Sequence, residues 1–144
     1  NKEIVKVSLP YFKVKIRHKA IYAFSETFLV NIEIENMSSI TKNVFIDFAI
    51  VNRMDEFVLH YRMEREQEAL RINKGQNNIL LKINNPDLVL GEYSIVIYIY
   101  DKLKNVLFWI ENSAVFQISN LNNELINDSA IKSQVIPRVQ IKHN

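Results

Sequence analysis

Leu88-Val89-Leu90-Gly91-Glu92-Tyr93-Ser94-Ile95-Val96-Ile97-Tyr98-Ile99-Tyr100 is the stretch from which the architecture of this chain can be read. A turn glycine opens a run in which Tyr93, Ile95, Ile97 and Ile99 alternate with other residues, the period of a strand with one buried face. Apolar residues make up 48% of the chain and the commonest are β-branched, which suits a pleated, half-buried surface better than a helix.

On either side of this run the same period returns at Ile4–Leu9, Phe12–Ile16 and Phe28–Glu35. Val44–Val51 reads as a central strand with Asp47 on its less buried face. Phe57–Arg62, Asn77–Ile83 and Ala114–Ile118 read as further strands, and Val106–Ile110 as an edge segment. Asn36–Ser39, Asn52–Glu56, Asn85–Asp87 and Asp101–Asn105 are the polar breaks between them. Good helix formers and an Arg62–Glu66 pair four residues apart predict a helix of at most two or three turns within Arg62–Arg71. A Leu, a turn Gly and a Tyr opening a long strand resemble the tyrosine corner, in which the phenol ties the incoming loop to the strand. The predicted fold is therefore all-β, an immunoglobulin-like antiparallel β-sandwich over residues 1–119. Residues 120–144 are read as part of the same domain, with a polar, Asn-rich linker at 120–129 and an alternating segment at 133–141. That last strand can pair at a distance, including with another copy of the chain, a low-cost route to a dimer.

With 144 residues the chain fits one domain. Eighteen Lys plus Arg against 16 Asp plus Glu leave a net charge of +2, too weak a field for nonspecific binding to phosphate backbones, so no nucleic-acid partner is expected. The absence of cysteine removes disulfides, thiolate zinc sites and cysteine nucleophiles, and leaves the compartment open. No apolar run approaches the roughly 18 residues that span a bilayer, and Asn1-Lys2-Glu3-Ile4 does not open a signal peptide. Because residue 1 is Asn, the simplest reading is a piece of a longer protein whose upstream part carries the chemistry.

His18, His60 and His143 lie far apart without metal-ligand spacing. Gly75 and Gly91 are the only glycines, and no phosphate loop or nucleophile elbow is present. Carboxylate neighbours such as Glu64 with Glu68, or Asp55 with Glu56, read as solvated surface charge. No catalytic residue, metal or cofactor is expected.

What remains is a sheet whose outward face follows from parity. With Tyr93, Ile95, Ile97 and Ile99 inside, Ser94, Val96, Tyr98 and Tyr100 face out; Phe48 and Ile50 inside put Asp47, Ala49 and Val51 out; Phe116 and Ile118 inside put Val115 and Gln117 out. The strands around 44–51, 57–62, 92–100 and 113–119 are predicted to share this sheet. Tyr98, Tyr100, His60, Arg62, Asp47 and Gln117 are then the candidate carbohydrate-binding residues: flat rings stack on the apolar faces of sugars, and the polar groups hydrogen-bond hydroxyls. The plain alternative is that the tyrosines only cover the sheet. Trp109 either lines such a groove at the sheet edge or is buried against the sheet or a dimer mate. Arg17-His18-Lys19 is a small basic cluster, read as a solvated loop or as a contact for an acidic sugar or lipid headgroup.

The order "TFLVNIEIEN", "VFIDFAIVN", "INKGQNNILLKINNPDLVLGEYSIVIYIYD" and "AVFQISN" resembles the C-terminal carbohydrate-binding domain of the Wzt-type ATPase subunit of O-antigen polysaccharide ABC transporters. The similarity spans roughly residues 12–119 and is sharpest from Gly75 through Asp101. Phe24–Thr27 and Asn52–Glu56 depart from the family pattern by lacking a turn glycine. The resemblance implies a non-catalytic β-sandwich that follows a nucleotide-binding domain, dimerises by exchanging its last strand, and binds the exported glycan, in some members at its modified non-reducing end. Its implied partners are the O-antigen polysaccharide, a second copy of itself, the upstream nucleotide-binding domain and the membrane permease. The implied place is the cytoplasmic face of the bacterial inner membrane. A structural dimerisation or protein-interaction sandwich without a glycan is the alternative expectation.

Overall fold

The computed structural model describes residues 2–9, 11–84, 86–120 and 139–144, and the side chains of these from residue 11 on, except 112 and 113. Its strands, in chain order, are β1 (Lys2–Leu9), β2 (Phe12–His18), β3 (Ile21–Ala23), β4 (Phe28–Asn36), β5 (Lys42–Asn52), β6 (Phe57–Arg62), β7 (Leu70–Ile72), β8 (Gly75–Ile83), β9 (Gly91–Asp101), β10 (Val106–Ser119) and β11 (Val139–His143). One short helix, α1 (Met63–Glu66), interrupts them. The first sheet has the order β1-β2-β4-β8-β11 and the second β3-β10-β9-β5-β6, with β7 paired to β5.

Alternation places the core between the sheets. Val14, Ile16, Val30, Ile32, Ile34, Ile79, Leu81 and Ile83 of the first sheet, and Ile46, Phe48, Ile50, Ile95, Ile97, Ile99 and Phe116 of the second, are all buried in one cluster. Each such side chain contributes about 1.5–3 kcal/mol on leaving water, the main term holding the layers together. At one end Tyr22, Phe28, Phe116 and Tyr93 interlock, with ring centroids 4.6 Å apart for Tyr22–Phe28, 4.7 Å for Phe28–Phe116 and 5.8 Å for Tyr93–Phe116. The tyrosine corner is present: the Tyr93 hydroxyl donates to the Val89 carbonyl at 2.7 Å. Gly91 has a φ of +153°, a conformation that side-chain-bearing residues rarely adopt, so this turn requires it.

The all-β sandwich, and the joining of β5, β6, β9 and β10 in one sheet, follow the sequence reading. Three features differ. The predicted helix of two or three turns is a single turn, because Gln67 has already returned to extended backbone and Leu70–Ile72 pair with Lys42–Val44 as β7. Ladder hydrogen bonds, and the burial of Met63 and Ile72 in the core, outweigh helix propensity there. The sandwich is not wholly antiparallel, since β3 runs parallel to β10 at Gln117–Ser119. The two segments read at Val106–Ile110 and Ala114–Ile118 form one strand whose register shifts between Ile110 and Ala114.

Of the predicted C-terminal strand, residues 139–141 lie in β11, which pairs antiparallel with β8 of the same chain, from Val139↔Ile83 to His143↔Ile79. The rest of that segment, and the linker from residue 121 on, lie outside the described residues. The two turns without the family's glycine hold Ser25 and Asp55 at φ of 61° and 60°.

Candidate functional site

The second sheet turns its other face outward, and register sets its rows. Trp109 of β10 pairs with Tyr98 of β9, Tyr98 with Asp47 of β5, and Asp47 with Arg62 of β6. Neighbouring strands lie about 4.8 Å apart, so this row of four is about 14 Å long. Trp109 and Tyr98 stack face to face, centroids 5.2 Å apart and planes 15° from parallel. Trp109 keeps 43% of its surface exposed. At this level β10 is the sheet edge, because β3 covers it only at Gln117–Ser119. Within its own chain Trp109 is an exposed edge aromatic and is not buried against the sheet.

The next row runs Val96, Ala49, His60. Val96, Ala49 and Val51 are small, outward-facing and nonetheless shielded, a low apolar floor against which Tyr98 packs. On the far side the His60 ring lies 5.6 Å from that of Phe57, which is 63% exposed. The face thus has a ring pair on one flank, a ring and an imidazole on the other, and methyl groups between them.

Asp47 and Tyr100 hold positions in this face that differ from their predicted use. Asp47 Oδ1 accepts the Met63 N–H at 3.1 Å and the Tyr100 hydroxyl at 3.0 Å, and Oδ2 lies 3.9 Å from Arg62 Nε. It anchors α1 and orients its neighbours. Tyr100 faces outward as parity requires, but Phe45 flanks its ring at 5.6 Å, and the Lys104 ammonium sits 5.2 Å from the ring centroid while ion-paired with Glu64. Only 7% of Tyr100 remains exposed. Burial, then the Asp47 and Glu64 carboxylates, push its phenol well above the ordinary value. The hydrogen bond from Lys104 holds the Glu64 carboxyl below its own. A sugar stacking on Tyr100 would have to displace this cover, so its predicted stacking role is corrected to a packed, hydrogen-bonded one.

Gln117 does not join the others. It pairs with Glu92, six residues along β9 from Tyr98 and so about 20 Å away. A cavity of about 220 Å³ lined by Asn52, Arg53, Asp55, Glu92 and Ser94 occupies that end of the face. Tyr98, His60 and Arg62 are brought together, with Asp47 beneath them. Phe57 was missed by the sequence reading, although an aromatic next to the Asn52–Glu56 turn on an edge strand was a usable signal. Nothing in sequence signalled that Lys104 and Glu64 would meet over Tyr100.

Among the described residues no group of three or more metal-ligating side chains is placed to hold an ion, and no helix is long and apolar enough to cross a membrane. No family model matches the chain, and no curated protein does. Several solved structures are similar in backbone course, among them the following two. The first is the alkylpurine DNA glycosylase AlkC of Pseudomonas fluorescens bound to DNA containing an abasic site analog, at 16% identity and a TM-score of 0.48. The likeness covers 73% of this chain and 30% of the glycosylase, so the chain spans under a third of that protein's length. The second is the CARDB domain of the PF1109 protein from Pyrococcus furiosus in complex with di-metal ions, at 13% identity and a TM-score of 0.46, covering 79% of this chain and 92% of that one. Neither says what this chain binds.

Proposed function

We propose that this chain is a non-catalytic carbohydrate-binding module that holds a polysaccharide across the outer face of β10, β9, β5 and β6. The observation that carries the reading is the stack of the exposed Trp109 ring on the half-buried Tyr98, in one row with Arg62. A flat aromatic surface takes the apolar face of a sugar ring, the floor of Val96 and Ala49 admits a second ring, and Arg62 and His60 are within reach of its hydroxyls. Each aimed hydrogen bond is worth about 1 kcal/mol net, so one site binds in the micromolar to millimolar range. Two sites on a dimer would gain by avidity.

The resemblance to Wzt-type C-terminal domains extends the proposal. The ligand is then an O-antigen polysaccharide, recognised at its modified non-reducing end for export. The partners are a second copy exchanging its last strand, an upstream nucleotide-binding domain and the permease at the cytoplasmic face of the inner membrane. Trp109 is the single tryptophan, so its emission reports directly on the ring stack. Titration of the chain with capped and uncapped polysaccharide from its own source is expected to change that emission saturably with the capped form. An unchanged emission together with no heat of binding overturns the proposal.

A protein-interaction sandwich is the second reading, and β6 is the observation in its favour: this edge strand exposes Phe57 and Val58, at 63% and 44%. Under it, deleting 130–144 abolishes assembly while no glycan changes any signal.

A further inference from the structure

A polymer seated on the ring stack has one open direction along the sheet. Two residues further along β9 from Tyr98, Tyr100 lies under the Lys104–Glu64 ion pair. Across the strands, the Tyr98 row continues into Asp47, whose oxygens already hold the Met63 N–H, the Tyr100 hydroxyl and Arg62. On the other side Trp109 marks the sheet edge at this level. Toward the start of β9 the face is low instead. Val96 pairs with Ala49, and Ser94 with Val51, so over β5 and β9 these two rows hold no side chain larger than valine.

This track ends in polar groups that bind nothing else. The next outward position on β9 is Glu92, in register with Gln117 of β10. It stands six residues, or about 20 Å, from Tyr98. A cavity of about 220 Å³ opens here, where the turn after β5 brings Arg53 and Asp55 to the same place as Glu92 and Ser94. Asn52 is part of its wall but is committed to the turn, its Oδ1 accepting the Met54 and Glu56 N–H groups at 2.9 and 3.0 Å. Among the described residues, the side chains of Arg53, Asp55, Glu92 and Ser94 take part in no hydrogen bond or ion pair. A guanidinium, two carboxylates and a hydroxyl thus line one cavity with their bonding capacity open.

We propose, resting on the carbohydrate reading of this face, that the cavity is a second subsite for the same glycan and that the bound polymer runs along β9 from the ring stack to it. A track of about 20 Å has room for about four pyranose rings, the first on Trp109 and Tyr98 and the last in the cavity. The ring in the cavity is a neutral, hydroxyl-rich sugar. Its hydroxyls donate to Asp55 and Glu92 and accept from Arg53, and these charge-assisted bonds require no charge on the ligand. An anionic sugar gains nothing there, because the single guanidinium stands beside two carboxylates. The stack takes a ring by its apolar face and tolerates many sugars, whereas the cavity reads hydroxyl positions. Selectivity among neutral sugars is therefore set at the far end of β9 from the tryptophan. Gln117, remote from the stack, borders this subsite.

The test uses oligosaccharides of two and of six rings, cut from the polysaccharide of the protein's own source and titrated into the isotope-labelled chain. The two-ring fragment is expected to shift the Trp109 indole and the Tyr98 amide. The six-ring fragment is expected to shift Ser94, Val115 and Asp55 as well, and to bind about tenfold more tightly or better. Glu92 and Arg53 are exposed, so their variants keep the fold. Glu92→Gln and Arg53→Gln should each take back about two- to tenfold of that gain, the size of one hydrogen bond. Oxidising the primary hydroxyls of the six-ring fragment to carboxylates is expected to weaken it, and tighter binding of the oxidised form overturns the neutral ligand class. Shifts confined to the row from Trp109 to Arg62, equal affinity for two and six rings, or full affinity in both variants overturns the proposal while the carbohydrate reading stands. Absence of binding at either length overturns both.

Discussion

The two outer faces of this sandwich share one core and differ in almost everything else. On the second sheet, Trp109, Tyr98, Phe57 and His60 stand around the small side chains of Val96, Ala49 and Val51. On the first, cations, carboxylates and carboxamides mix across β2, β4, β8 and β11 with few large apolar groups. Inward positions are constrained alike on both sheets, because a polar group there would lose its water without replacement. Outward positions are under no such constraint, so the two faces are free to differ.

Phe116→Ala bears hardest on the shared core, since the ring packs against Tyr22, Phe28 and Tyr93. It is expected to cost about 3–5 kcal/mol in denaturant unfolding and to weaken both faces together. A loss confined to one face would break the premise of a common core.

Trp109→Ala and Tyr98→Ala bear on the second face. Each should weaken the cognate polysaccharide about tenfold by calorimetry. Tyr100→Phe sharpens the contrast within a single strand. Removing its hydroxyl breaks the bond to Asp47 and is expected to cost about 1 kcal/mol of stability, while glycan affinity stays unchanged. Equal loss of binding in Tyr98→Ala and Tyr100→Phe would place Tyr100 in the site after all.

The buried phenols also set an alkaline limit. Burial, the leading cause, pushes Tyr22 up to about 12, against the Lys19 N–H, which donates to the phenol oxygen and favours its charged form. A folded value above the unfolded one means that the stabilisation is fully present below about pH 10 and is lost as pH rises toward 12. Tyr22→Phe should flatten this limb in denaturation followed between pH 9 and 12.

The smallest effect belongs to the turn between β9 and β10. Burial opposes the charge of Asp101, but the Asn105 side chain, the Asn105 N–H and the Leu103 N–H together outweigh it and hold the carboxyl below its usual value. Its contribution is present above about pH 4 and disappears as pH falls through the lowered value. Asp101→Asn should therefore reduce the acid sensitivity of unfolding.

Parity made most of this architecture readable before any coordinates. The alternation of Phe28–Glu35 and Tyr93–Ile99, and the Leu-x-x-Gly-x-Tyr corner, carry their orientation in the residues themselves. The site was readable only in part, because parity gives the face of a side chain and says nothing about what lies over it. Tyr98 and Tyr100 have the same parity on the same strand, yet only Tyr100 is covered, by residues from a distant helix and a neighbouring turn. Gln117 was assigned to the correct sheet, but register places it at the other end. The helix was overestimated at Arg62–Arg71 because local propensity cannot register the pairing of Leu70–Ile72 with β5.

Lys104 sits at a φ of 69°, a left-handed conformation that costs a residue with a side chain roughly 1–2 kcal/mol relative to ordinary backbone. The fold tolerates that strain in the very residue whose ammonium roofs Tyr100. Replacing it with glycine would relax the backbone and unroof the phenol in one step. The outward aromatic strip would then lengthen by one ring along β9, so a single codon stands between a short exposed strip and a longer one.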